Sequence, residues 1–240
     1  MAVLDFSRRN ALSELMDADD TDFQTFRACL IDLSKVNALT LAYRPTLAFF
    51  KQLTAARGLP WDRRVSVVDV GSGSGDMLRR LDRWSRAHAC KLDLVGVDLN
   101  PWSAVTARQM TNSRERIRFV TANIFDYQPE MPIDIVISSL FTHHLDDAAL
   151  IAFVRWMEAN ARIGWFINDL YRHPVAYHLF RHASRTLGFH HFVQHDGPIS
   201  IARAFSPSDW RALLQTAEIP DADIKSYVPF RLCVSRIKSW

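Results

Sequence analysis

The chain is short of glycine, short of cysteine and without long apolar runs. Eight glycines among 240 residues mean that any cluster of them marks a place where the backbone must turn sharply. The three cysteines, Cys29, Cys90 and Cys233, are odd in number and far apart. They offer neither a zinc spacing nor a disulfide framework and suit a reducing compartment. No window approaches about 18 uncharged apolar residues, so no membrane span is expected. The first twenty residues lack the apolar stretch of a secretory signal, and the expected location is cytoplasmic. A surplus of one charge is missing too: 29 Lys and Arg face 26 Asp and Glu, for a net +3. That excess does not point to nucleic acid as partner. The basic pairs Arg63-Arg64 and Arg79-Arg80 have acidic neighbours and read as solvated faces.

What the chain does have is aromatic bulk, with 7 Trp and 15 Phe, enough to line a concave site as well as a core. At about 150 residues per domain the length allows one or two domains. A chain of this size buries enough surface to need no disulfide or metal staple.

Residues 10–58 read as helical. Leu12, Leu15 and Met16 share one face; after the acidic patch Asp17 to Asp22, Phe23, Phe26, Leu30, Leu33, Val36, Leu39 and Ala42 recur at spacings of three and four. Pro45 interrupts, and a further helix runs to a stop at Gly58-Leu59-Pro60. Residues 1–60 are therefore expected to form a helical cap and 61–240 a second unit. In that unit, β-branched runs at 65–70, 92–97, 116–120, 133–137 and 163–167 alternate with amphipathic segments at 77–89, 101–112 and 146–161. Apolar strands alternating with helices predict an α/β fold, a parallel sheet covered on both faces. Residues of about 171–205 break the alternation and read as a helical insertion. Ser206-Pro207-Ser208-Asp209 opens another helix, and 223–230 and 231–238 read as two last strands.

Ligands of such sheets bind outside the carboxyl ends of the strands. The first strand ends in Asp69-Val70-Gly71-Ser72-Gly73-Ser74-Gly75-Asp76, a glycine loop opening a helix. The second ends in Asp98, 23 residues after Gly75, where an acid accepts hydrogen bonds from ribose hydroxyls. A dinucleotide loop places a pyrophosphate on the helix N-terminus. Here Asp76 occupies that place, and its charge opposes a pyrophosphate. An ammonium and a sulfonium suit Asp69 and Asp76 better. The Tyr-x-x-x-Lys pair of short-chain dehydrogenases is also missing.

With VVDVGSGSGD (67–76), LVGVDLNP (94–101), FVTANIFDY (119–127) and IDIVISSLFTHHL (133–145) in this order, the sequence resembles a class I S-adenosylmethionine-dependent methyltransferase. The resemblance implies a Rossmann-like seven-stranded, mostly parallel sheet whose last strand is antiparallel. It implies S-adenosyl-L-methionine as cofactor and S-adenosyl-L-homocysteine as product. Carried over residue by residue, Asp69 and Gly75 belong to the cofactor loop, and Gly71, Ser72 and Gly73 face the methionine part. Asp98 holds the ribose, Leu99 stacks on adenine, and Asn123 with Ile124 borders the adenine amine, Asn123 replacing a frequent Asp. Ser139 and Leu140 face the transferring methyl. The helical N-terminus and the insertion resemble the lids of small-molecule methylases of ubiquinone and menaquinone biosynthesis and of those acting on phenolic polyketides.

The acceptor is read from the residues after the fourth and fifth strands. Ser138-Ser139-Leu140-Phe141 is unlike the Asn-Pro-Pro-Tyr of adenine and amide N-methylases, and no cysteine lies at a strand end for C5-pyrimidine chemistry. Asn168-Asp169 supplies half of the oxygen set of metal-dependent catechol methylases, but Ser138-Ser139 replaces the other half, so no metal is expected. Histidine is left as proton acceptor for a phenol. His143 and His144 come after the fourth strand; His173 comes after the fifth and competes. Asp169 orients a histidine or caps a helix. Tyr43, Arg44, Tyr171 and Arg172 are candidates for the substrate, with surface packing as the plainer alternative. His178, His182, His190, His191 and His195 read as lid residues. The expected activity is O-methylation of a phenol- or quinol-like small aromatic metabolite with a histidine base. N- or C-methylation of a small heterocycle, methylation of RNA or protein, and a non-enzymatic protein retaining the cofactor fold are the alternatives. The oligomeric state is not legible.

Overall fold

The computed structural model describes residues 5–17, 22–57 and 63–239. Seven strands form one sheet in the order β3-β2-β1-β4-β5-β7-β6. They are β1 (Val65–Val70), β2 (Leu92–Asp98), β3 (Ile117–Thr121), β4 (Ile135–Ser139), β5 (Gly164–Leu170), β6 (Asp223–Tyr227) and β7 (Arg231–Ile237). The five strands from β3 to β5 run parallel, and β7 is antiparallel to both β5 and β6. This is the Rossmann-like arrangement that the resemblance implied.

All six residues of β1 are buried, because helices cover both faces of the sheet. On one face Val68, Val70, Val95, Val97, Val136, Trp165 and Ile167 pack under α5 (Asp147–Asn160) and α8 (Pro207–Thr216). On the other, Val65, Val67, Leu94, Ile135, Ile137 and Phe166 meet α2 (Arg44–Arg57), α3 (Asp76–Ala87) and α4 (Pro101–Met110). Each such side chain withdrawn from water contributes roughly 1.5–3 kcal/mol. Phe49 of α2 stacks on Phe166 at 4.8 Å, so part of the segment before residue 60 belongs to the sheet's own core. α1 (Phe23–Leu39), α6 (Pro174–Thr186) and α7 (His191–Arg203) lie over the carboxyl ends of the strands. No helix among the described residues is long and apolar enough to cross a membrane.

Three local expectations are corrected. Residues 10–17 form no full helix, only a single 3-10 turn at Leu15–Asp17. The Leu15 and Met16 amides donate to the Asp196 carboxylate at 2.8 and 3.0 Å instead of to helical carbonyls. Pro45 does not interrupt a helix but sits in the first turn of α2, where its missing N–H costs nothing. The break falls just before it, at Leu41, with φ 55°. β4 and β5 also reach further than their apolar runs, because Ser139 pairs with Asn168 and Asp169 pairs with Leu232. The stop at Gly58-Leu59-Pro60 lies outside the described residues.

Candidate active site

Strand order reverses at β1, whose neighbours β2 and β4 lead away in opposite directions. There a cavity of about 810 Å³ opens at the carboxyl ends of the strands. Its floor is the glycine loop and the ends of β2, β4 and β5; its roof comes from α1, α6, α7 and the segment carrying Glu14.

The loop is built on left-handed glycines: φ is 69° at Gly71, 51° at Gly73 and 73° at Gly75. A Cβ on Gly71 would lie 2.7 Å from the Phe141 ring, and one on Gly75 2.5 Å from Phe119. At Gly73 the nearest atom would be a Leu30 methyl at 3.7 Å, so that backbone stands bare toward the cavity. Asp98 fixes the loop from below, accepting from Gly73 N at 2.8 Å and from Asn100 N at 3.0 Å. The Ser103 hydroxyl donates to it as well, so of a carboxylate's roughly four acceptor positions about one remains for a ribose-type hydroxyl. Burial raises the Asp98 carboxyl above its usual range, against the pull of those amides. Asp69 is raised further, first by burial and then by the neighbouring charges of Asp76 and Asp98. Three acids around one cavity wall favour a positively charged ligand. Tyr43 joins them: its hydroxyl donates to Asp76 and also reaches the Ser34 carbonyl at 3.1 Å.

The adenine end is looser. Leu99 is 73% exposed yet lines the cavity, and Ile124 lies buried beside it. Asn123 also lines the cavity, and its carbonyl oxygen already accepts from Phe125 N at 3.1 Å. Ser139 ends β4 with a buried hydroxyl that has no hydrogen-bond partner. With the bare Gly73 backbone, the acid cluster and this orphan hydroxyl, the cavity fits a cofactor that combines a ribose-type hydroxyl, a cation and polar edges.

The histidines divide. His143 is 3% exposed and its Nδ1 lies 2.7 Å from Asp169 Oδ1. Asp169 also accepts from Thr142 Oγ1 at 2.5 Å, His143 N at 3.0 Å and Leu170 N at 2.7 Å. Burial works against its charge. The His143 ring and these donors outweigh burial and hold the carboxyl well below the usual range. His143 Nε2 and His144 Nε2 stand 3.8 and 3.9 Å from the Glu14 carboxylate. Glu14, His143 and His144 thus form a group of metal-ligand spacing, their atoms within 4.8 Å of one another. Arg203 Nη1, 3.5 Å from Glu14, places a cation where a metal ion would compete with it.

Nine of the expected cofactor residues line the cavity: Asp69, Gly71, Ser72, Gly73, Asp98, Leu99, Asn123, Ile124 and Ser139. Gly75 stands behind the loop as N-cap of α3, against Phe119 and Ala107. His143, His144 and Tyr43 line it as well. Four candidates do not. His173 caps α6, its Nδ1 accepting from Val175 N at 3.2 Å. Tyr171 pairs with Phe205 in a β-bridge. Arg44 is exposed at the start of α2. Arg172 is buried away from the cavity, where its guanidinium binds the carbonyls of Phe6, Ser7 and Ala204 and the Asp209 carboxylate at 2.7 Å. It ties the chain together instead of holding a substrate.

Glu14, Asp196 and Arg231 line the cavity without having been singled out in the sequence. Glu14 and Asp196 belong to no motif. Arg231 had a signal: a lone charge opening the apolar run Leu232-Cys233-Val234.

Residues 67–164 match the family model of a methyltransferase domain. No curated protein sequence matches the chain. Among solved structures, the plantazolicin methyltransferase BpumL, in complex with a monoazolic desmethylPZN analog and SAH, is 15% identical. There 91% of this chain covers 96% of that one, with a TM-score of 0.63. Human N-acetylserotonin methyltransferase with SAM is 16% identical with a TM-score of 0.64; 91% of this chain spans 57% of that longer one. Magnesium protoporphyrin IX methyltransferase from Synechocystis PCC 6803, with bound SAM, is 14% identical at 0.52, covering 94% and 88%. At such identities the likeness lies in the fold. Residues 67–164 thus carry a methyltransferase domain, and the fold, the glycine loop and the acid at the end of β2 are of the S-adenosylmethionine-dependent, Rossmann-like kind.

Proposed function

We propose that this protein methylates a hydroxyl of a small aromatic metabolite, with His143 as the proton acceptor. The observation that carries the reading is the buried Asp169–His143 pair beyond the carboxyl ends of β4 and β5, in which His143 lines the cavity and Asp169 stands behind it. The solved relatives support a small-molecule acceptor, since two of them are named for N-acetylserotonin and magnesium protoporphyrin IX. The largely apolar roof of Phe26, Leu30, Leu33 and Phe180 supports it too.

When bound, the cofactor supplies an electrophilic methyl group on a sulfonium. The protein's own part is to hold, orient and deprotonate. Asp98 and the Gly73 backbone offer the polar edge, and Asp69 and Asp76 offer negative charge to a cation. Asp169 accepts from His143 Nδ1, which fixes the tautomer and leaves Nε2 as the nitrogen that takes a proton. The apolar roof offers packing surface to an aromatic ring.

The test is transfer of labelled methyl from S-adenosylmethionine to a panel of phenols and quinols, by the wild type and by His143→Gln. The variant should lose roughly a hundredfold or more in kcat, as removal of a general base does. Its affinity for S-adenosylhomocysteine should stay within about twofold. Label confined to macromolecules or to amines would overturn the acceptor assignment. Undiminished kcat in the variant would overturn the base.

A further inference from the structure

Arg231 is the cation that the proposed reaction does not use. It opens β7, pairs across the sheet with Leu170 of β5, and is 4% exposed. Its Nη1 has no hydrogen-bond partner, and its Nη2 reaches only Thr40 Oγ1 at 3.4 Å. No ion pair involves it among the described residues. Asp169, whose charge acts on it, has both carboxylate oxygens committed to His143, Thr142 and backbone amides. A buried guanidinium without a partner is costly unless an anion completes it. Burial accordingly weakens its hold on the proton.

The same side chain lines the cavity, together with Thr40, Pro229 and Phe230. A guanidinium is the side chain whose N–H donors best match a carboxylate. We infer that Arg231 binds a carboxylate of the methyl acceptor, which makes the substrate an aromatic acid. The inference rests on the proposed function for the acceptor's place in this cavity and for its aromatic hydroxyl. Placement gives a length as well. β7 lies two strands beyond β4, at whose end Ser139 borders the reacting region. In register Ser139 is level with Asn168 and Arg231 with Leu170, two residues further along. At about 4.8 Å per strand and 3.3 Å per residue the two backbone points are roughly 12 Å apart, a gap that the Arg231 side chain shortens. One aromatic ring with a hydroxyl at one end and a short acid arm at the other spans that gap.

The probes are hydroxybenzoates, hydroxyphenylacetates and hydroxycinnamates, each with its carboxamide and its aryl phosphate analogue. Binding is read by calorimetry to the wild-type chain saturated with S-adenosylhomocysteine. At least one acid should bind ten times or more tighter than its own amide and no weaker than its phosphate analogue. Arg231→Gln should erase the difference while S-adenosylhomocysteine binding persists, and Arg231→Lys should keep part of it. No acid-over-amide preference anywhere in the panel, including no binding by any acid, overturns the proposal. So does a preference that survives in Arg231→Gln, or a consistent preference for the phosphates. The wild-type comparison stands even where a variant fails to fold. Failure of the methyl-transfer reading shows separately, as loss of S-adenosylhomocysteine binding itself or as absence of transfer to any hydroxyl.

Discussion

Asp98 offers the sharpest test of how the loop and the strand end act together. In Asp98→Asn one side-chain oxygen remains, so one of the two amides it now holds, Gly73 N at 2.8 Å or Asn100 N at 3.0 Å, keeps its acceptor. The new NH2 group faces the other amide donor to donor. One hydrogen bond to a charged acceptor is lost, worth about 1.5–3 kcal/mol. If the loop conformation of Gly73 is what the cofactor reads, this appears in binding as a loss of roughly tenfold to 150-fold. Titration calorimetry with S-adenosylhomocysteine measures it directly. Asp93→Asn is the control, because Asp93 lies on the same strand but pairs with Arg118 at the surface. The reasoning is refuted if Asp98→Asn binds as tightly as the wild type, or if Asp93→Asn loses as much.

Two further expectations concern groups that the site does and does not contain. Arg172→Ala should lower stability by about 3 kcal/mol, as breaking a buried ion pair does, and Tm by roughly 6–12 °C. S-adenosylhomocysteine affinity should be unchanged; normal Tm with lost turnover would return Arg172 to the substrate. The Asp69 carboxyl holds its proton more tightly in the folded chain than in the unfolded one. Its contribution to stability is therefore fully present below the unfolded pKa of 3.8 and fades as pH rises through the raised folded value. Without cofactor, the urea midpoint of the wild type should fall relative to Asp69→Asn over that window. Parallel pH profiles would dismiss the raised carboxyl.

The sequence and the structure agree where local chemistry and global packing say the same thing. The β-branched run at 65–70 must be a buried strand, and glycines at 71, 73 and 75 must turn, because little else tolerates their φ values. Asp98 was legible from its distance to that loop. Pattern misled where polar residues pair in a sheet: Asn168 and Asp169 look like a loop after an apolar run, yet they continue β5. His173 and Arg172 stand close to the fifth strand in sequence, but nearness in the chain does not say which way a side chain turns. Arg172 turns to carbonyls brought from residues 6, 7 and 204, two of them more than a hundred positions away and absent from any local signal. Glu14 reaches His143 by an equally distant contact. Tertiary placement of this kind is invisible to periodicity.

The position of β7 has a consequence for how the molecule is assembled. It is synthesised after β6 but lies between β6 and β5. Until residues 231–237 arrive, β5 presents a bare edge carrying Trp165, Phe166 and Ile167, all of which end up buried. An apolar edge of that kind is a template for pairing with other chains, and closing it requires a contact between distant segments, which is slow. A nascent or truncated chain that stops before residue 231 is thus the aggregation-prone species. The strand that ends its exposure is also the one that delivers Arg231 to the cavity, so protection of the edge and completion of the cavity wall happen in the same folding event.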